Sequence, residues 1–368
     1  MNVPDPYAAR LAKLRRGMKK AGLAALLVSR PENRRYLSGF TAADSQLDES
    51  SGFLLITRGR QILLTDFRYL YQGRKEAPGY EIIIYLQGSA KTAAGLMKRW
   101  RIKRLGFEED YLTCKVHRLL KEEVGDGALE PAQLVEKLRV IKDQAEVKNI
   151  TRAVKLTEAA LAQTFKFLKP GLTEKEAARY LEGAMISLGA EGPAFETIVA
   201  SGPNAALPHA VPTGRKIRAG ETIIFDCGAK FSGYGADMTR TVVLGQPPRW
   251  IKKIYQTVRR AQLEAVRAIK PGVKASDIDD LARKIISQAG YGDHFGHALG
   301  HGVGLATHEA PSLSKTSPAV LEPGMIVTVE PGIYLEGRGG VRLEQMVLVT
   351  DKEARVLNRD QTFYDWSD

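Results

Sequence analysis

The sequence predicts an α/β chain of two domains, the second assembled from two copies of one helix-and-hairpin unit. Three observations carry this. At 368 residues the chain exceeds the usual span of a single hydrophobic core. Short β-branched runs alternate with amphipathic stretches through its first third, the pattern of an α/β domain. And Lys-Pro-Gly occurs at both 169–171 and 270–272, each time between two helical stretches.

In chain order, residues 7–21 read as an amphipathic helix with Leu11 and Leu14 on its apolar face and Gly22 as its stop. Strands are expected at 24–28, 52–56, 62–64 and 80–86, and helices at 67–75 and 90–98. Asp143, with Glu146 three residues on, is a capping-box start for a long helix over 144–168. Thr173 and Glu176 repeat that arrangement for a helix over 173–188. After the second Lys-Pro-Gly the cycle returns, with helices at 250–269 and 277–288, the latter started by Ser276. Helix, Lys-Pro-Gly, helix, acidic hairpin thus occurs twice.

The hairpins carry the chemistry. Residues 222–229 and 236–244 flank a Gly/Ser turn, and a turn centred between Phe231 and Ser232 sets Asp226 opposite Asp237. Residues 326–335 and 340–350 flank Gly337, which sets Glu330 opposite Glu344. Directly opposed residues have Cβ atoms about 4.5–5.5 Å apart, and like charges so placed destabilise a sheet. At an effective dielectric near 20 the repulsion is roughly 4 kcal/mol per pair. Shared protons or intervening cations relieve it. Between the hairpins, residues 294–309 hold four of the six histidines, His294, His297, His301 and His308, interleaved with Gly296, Gly300, Gly302 and Gly304. So many glycines disfavour a helix and suit backbone in close approach. Four carboxylates and one imidazole are an oxygen-rich set suited to two divalent ions, Mn foremost, with Co, Fe or Zn admissible and Mg less apt.

Asp226-Cys-Gly, Asp237-Met-Thr-Arg, Gly300-His301-Gly-Val-Gly, Thr307-His308-Glu, Glu330-Pro-Gly and Val341-Arg-Leu-Glu344 together resemble the pita-bread metallopeptidases, the family of methionine aminopeptidase, aminopeptidase P and prolidase. Upstream, Pro31-Glu-Asn-Arg-Arg-Tyr36-Leu-Ser-Gly39-Phe, Leu64-Thr-Asp66-Phe-Arg-Tyr and Gly106-Phe-Glu-Glu-Asp-Tyr resemble the creatinase-type N-terminal domain, which methionine aminopeptidase lacks. The resemblance implies a creatinase-like α/β domain over 1–131, a linker over 132–143 and a pita-bread catalytic domain with a pseudo-two-fold repeat over 144–368. It implies that Asp237 and Glu344 bridge two metals, that Asp226 holds one, and that His301 and Glu330 hold the other. Glu330 would also relay the proton of the attacking water, His308 would polarise the scissile carbonyl, and His209 and His297 would line or support the pocket. Arg342 orients Glu344 or forms a structural ion pair. Gln345, where many relatives have an acid, points to the opposite strand face.

The expected activity is that of an Xaa-Pro aminopeptidase, acting on proline-containing peptides as a homodimer. An Xaa-Pro dipeptidase (prolidase) is the alternative. Ser312, after His308-Glu-Ala-Pro311, stands where some prolidases have an arginine suited to a dipeptide carboxylate, and so favours the first. A metal-dead pita-bread scaffold binding protein or nucleic acid is the reading from another class, and the complete ligand set weighs against it. Net charge is +12, and residues 1–140 hold 25 Lys and Arg against 16 Asp and Glu. Basic runs at 15–20 and 98–104 have only Trp100 as an aromatic neighbour, so they read as solvated faces rather than a nucleic-acid surface. Two cysteines, Cys114 and Cys227, make no disulfide framework and fit the cytoplasm, Cys227 as a small buried strand residue. No apolar run approaches membrane-spanning length.

Overall fold

The computed structural model describes residues 6–44, 46, 49–86, 88–360 and 362–366, and it forms two compact units, residues 1–139 and 140–368. The first contains α1 (Pro6–Lys20), β1 (Ala25–Val28), α2 (Pro31–Ser38), β2 (Phe53–Thr57), β3 (Gln61–Thr65), α3 (Leu70–Glu76), β4 (Glu81–Ile84), α4 (Ser89–Arg99), β5 (Leu105–Phe107), α5 (Cys114–Val124), β6 (Leu129–Pro131) and α6 (Leu134–Arg139). Its mixed sheet runs β4-β3-β2-β1-β5-β6. Leu27, Leu55, Ile62 and Leu64 bury one sheet face against Ala93 and Met97 of α4.

The motifs of this unit hold it together. Pro31 opens α2 with its φ already set for a helix, and Gly39 closes it at φ 83°. Arg34 is completely buried and pairs with Asp44 at 2.8 Å while donating to the carbonyls of Ser29 and Gly52. Glu108 accepts the N–H groups of Ser29 and Arg30 and the amide of Asn33, tying the ends of β1 and β5 together. Burial, then the charge of Glu136, pushes its pKa up to about 6.

The second unit contains α7 (Gln144–Phe167), α8 (Glu174–Ser187), β7 (Gly192–Pro193), β8 (Ile198–Ser201), β9 (Thr222–Cys227), β10 (Ala229–Phe231), β11 (Tyr234–Gly235) and β12 (Met238–Val243). Then come α9 (Arg249–Ala268), α10 (Ala275–Gln288), β13 (Gly300–Gly302), β14 (Glu309–Leu313), β15 (Ile326–Val329), β16 (Gly332–Leu335), β17 (Gly339–Arg342), β18 (Gln345–Val349) and β19 (Ala354–Val356). Asp143–Glu146 and Thr173–Glu176 both form complete capping boxes. Ser276 does not cap α10. That helix starts at Ala275 behind an extended Lys274 that bridges to Val320.

The repeat is visible in detail. Gly171 and Gly272 take φ values of 94° and 84° and donate to the carbonyls of Ile217 and Leu321 at 2.9 Å each. Thr173 bridges Lys216 as Lys274 bridges Val320. Each half has its own core, with Leu161, Leu181 and Phe225 in the first and Ile254, Ile278 and Val327 in the second.

The first hairpin differs from the expected register. It turns on Ser232 and Gly233, both at positive φ (49° and 81°), with Phe231 opposite Tyr234. Two positive φ values mark the turn whose twist suits a two-residue hairpin. The centre therefore moves one residue along, and Asp226 pairs with Thr239 rather than Asp237. Asp237 stays on the same face as a diagonal neighbour. In the second hairpin the expected register holds, Gly332 facing Arg342 and Val329 facing Gln345. The ladder, however, breaks between those pairs. At the break the N–H of Glu330 bonds Leu299 O and that of Glu344 bonds Thr239 O, so both acids sit where strands change sheet.

Candidate active site

Three carboxylates meet here. Asp226 from β9, Asp237 just before β12 and Glu344 just before β18 bring one oxygen each within 4.8 Å of one another. Asp237 and Glu344 are buried, at 6 % and 1 % exposure. Thr239 donates to Glu344 Oε2 at 2.9 Å, whereas Glu344 Oε1 and Asp226 Oδ1 are buried with no hydrogen-bond partner among the described residues. Orphaned carboxylate oxygens on a cluster of acids call for a proton or a cation. Burial, followed by the charges of Glu344, Asp226 and Glu330, holds the Asp237 carboxyl well above the usual range. Burial, then Glu330 and Asp226, does the same to Glu344.

His301 and Glu330 complete the group. His301 Nε2 lies 3.2 Å from Glu330 Oε1 and 3.6 Å from Asp237 Oδ2. Its Nδ1 faces Gly302 O at 3.1 Å, so in the neutral ring the proton belongs on Nδ1 and the Nε2 lone pair faces the acids. Burial opposes a charge on this ring, but the hydrogen bond and charge of Glu330 outweigh it and raise its pKa. The Glu330 carboxyl is lowered by that same contact, against its own burial. An oxygen-rich set with one tautomer-fixed imidazole fits divalent cations.

Two further histidines lie close by. The His308 ring is 4.2 Å, centroid to centroid, from that of His301. Burial, then the charge of His301, lowers its pKa, and His209, exposed on the loop after β8, adds to the effect. His297 is placed differently. Its Nδ1 faces Ala298 O at 2.8 Å and its Nε2 faces Tyr334 Oη at 2.9 Å. Arg342 donates to Tyr334 Oη at 2.9 Å, to Thr239 Oγ1 at 3.2 Å and to Asp226 Oδ2 at 2.6 Å. Arg342 therefore binds Asp226 directly and reaches Glu344 through Thr239 Oγ1, and His297 joins this hydrogen-bond network through Tyr334. Sequence reasoning passed over Tyr334 and Thr239. Both share the period-two face of a site acid, 334 with Glu330 and 239 with Asp237, and that parity was the available signal.

The glycines are explained by contact. A Cβ on Gly300 would lie 2.0 Å from Thr328 O, one on Gly302 2.2 Å from Ala310 O, and one on Gly304 2.7 Å from the Glu309 carboxylate. Cys227 is completely buried, as expected of a small strand residue. Among the described residues no helix is long and apolar enough to cross a membrane.

Residues 148–351 match metallopeptidase family M24, and residues 10–141 match the Creatinase/Prolidase N-terminal domain. An Xaa-Pro dipeptidase of Pyrococcus horikoshii is 35 % identical over 344 residues, covering 94 % of this chain and 95 % of its own. The solved Xaa-Pro dipeptidase from Bacillus anthracis superposes with a TM-score of 0.90 at 40 % identity, covering 96 % of this chain and 98 % of that one. An X-Pro aminopeptidase from Thermotoga maritima superposes with a TM-score of 0.83 at 34 % identity, covering 94 % and 98 %. These likenesses bear out the mixed α/β architecture, a creatinase-type domain ahead of a pita-bread domain. The doubled fold and the acids gathered at its strand changes have a family in common with these proteins: the chain belongs to metallopeptidase family M24.

Proposed function

We propose that the protein is a two-metal exopeptidase that cleaves the bond before a proline at position two of a peptide. The observation that carries this is the convergence of Asp226, Asp237 and Glu344 within 4.8 Å, with orphaned oxygens on two of them. In this reading Asp226, Asp237, Glu330 and Glu344, with His301, would hold the two ions. Two divalent ions, Mn foremost, supply when bound an acidified water and a Lewis acid. Glu330 takes the proton of the attacking water and passes it to the departing proline nitrogen. His308, neutral near pH 7 by the direction of its shift, donates an N–H to the scissile carbonyl oxygen as charge develops there. His209 lines the approach of the peptide, and Arg342, bonded to Tyr334, keeps the Asp226 carboxylate aimed.

Substrate choice rests on proline chemistry. The Xaa-Pro amide has no N–H, and the ring fixes φ, so a dedicated pocket must replace the missing contact. For length we favour an aminopeptidase. Ser312, paired with His301 across β13 and β14, offers no cation for a dipeptide carboxylate. The relatives named Xaa-Pro dipeptidase favour the shorter substrate. Metal analysis tests the centre. The chelated chain reloaded with Mn should regain activity as two ions bind per chain, and Asp237→Ala should lose metal and activity together. An Asp237→Ala variant with full activity would exclude the two-metal site.

A further inference from the structure

The His308 ring has no hydrogen-bond partner among the described residues, so its backbone must set its position. That backbone leaves β13 at Gly302 and enters β14 at Glu309, which pairs with Gly302 across a shift in register. The intervening turn is short and closes on itself, Gly304 N–H donating to Ala306 O at 3.0 Å. Glu309 Oε1 then accepts the Ala306 N–H at 3.0 Å, and its other oxygen accepts from Lys142 Nζ at 2.9 Å. Lys142 and Glu309 are 1 % and 6 % exposed at their side chains, a fully buried ion pair. Gly304 leaves room for the carboxylate, since a Cβ there would meet both of its oxygens at 2.7 Å. Lys142 is itself fixed by its N–H to Gly324 O at 2.9 Å.

Buried ion pairs are weak stability devices, because desolvation offsets their attraction and apolar replacements often do as well. A pair kept here needs another reason. We infer that Glu309 is a positioning residue: its side-chain oxygen closes the 303–308 turn through Ala306 and presents His308 to the substrate, and Lys142 neutralises the carboxylate that burial would otherwise penalise. The inference rests on the proposed role of His308, and it extends the site to a residue that acts through backbone rather than on the substrate.

Two double variants test it in the full, Mn-loaded chain, and both remove the ion pair without stranding a buried charge. Lys142→Met/Glu309→Gln keeps an acceptor for Ala306 N–H, whereas Lys142→Met/Glu309→Leu does not. The Gln variant should keep kcat within about 3-fold of the parent. The Leu variant should lose about 10-fold or more in kcat, with KM and metal content unchanged. Labelling of His308 by diethyl pyrocarbonate, read residue by residue by mass spectrometry, should be at least about 3-fold faster in the Leu variant. Equal behaviour of the two variants, both impaired or both normal, overturns the inference. If the Leu variant shows no cooperative unfolding transition, Glu309→Asn takes its place, its amide one methylene too short to reach Ala306. Should the parent cleave no Xaa-Pro peptide, the proposed function fails, and the labelling comparison still decides whether Glu309 positions His308.

Discussion

At the scale of single residues, the four carboxylates and one imidazole of the candidate site differ from His308 in their placement. Asp226, Asp237 and Glu344 are gathered together, whereas His308 lies beside them on a ring-to-ring contact with His301. Changing His308 to alanine should therefore leave the metal content intact. It should lower kcat by about 100-fold or more, if its N–H meets developing charge on the carbonyl oxygen. Metal analysis beside turnover decides this, and loss of metal in His308→Ala would place the ring among the ligands instead. That Asp226, Asp237 and Glu344 gather was legible in the sequence, because acids set in apolar strands need an explanation, although the direct opposition of Asp226 and Asp237 was not met. The Arg342 assignment was not legible, because parity gives the face of a strand but not which of several carboxylates a long guanidinium reaches. The chain from His297 through Tyr334 to Arg342 joins residues eight and more positions apart by side-chain hydrogen bonds, which no local pattern encodes.

At the scale of elements, both capping boxes and the second hairpin followed from local rules. The first hairpin moved because Ser232, a residue that seldom takes positive φ, joins Gly233 in the turn. Where the ladder breaks at Glu330 and Glu344, each backbone N–H is satisfied by a residue distant in sequence, Leu299 or Thr239, so the break was invisible to a pairing argument. The same crossing explains the glycine at position 300, which passes under Thr328. Gly300→Ala should destabilise the second unit by about 3 kcal/mol or more, since the clash is with backbone rather than with a side chain that can turn away. Urea unfolding measures it, and a loss under about 1 kcal/mol would mean that the strands part easily at this point.

At the scale of the whole molecule, repetition made the fold readable. Two Lys-Pro-Gly turns, two helix pairs and two acidic hairpins could be matched before any contact was known. The α2 helix, β5 and α5 of the first unit lacked such a duplicate and went unread as elements, although the motifs containing them were noticed. We propose that the chain forms a homodimer, as two-fold assemblies are the commonest for soluble chains. Sedimentation should then give twice the 40.4 kDa chain mass at micromolar concentration, and a 40.4 kDa species would exclude it. Substrate choice is decided by product analysis of Ala-Pro, Ala-Pro-Ala and Met-Ala-Ser incubated side by side with the Mn-loaded chain. Alanine should be released from Ala-Pro-Ala while Met-Ala-Ser stays intact; hydrolysis of Ala-Pro alone would make the protein a dipeptidase. Methionine released from Met-Ala-Ser, with both proline peptides untouched, would contradict the account.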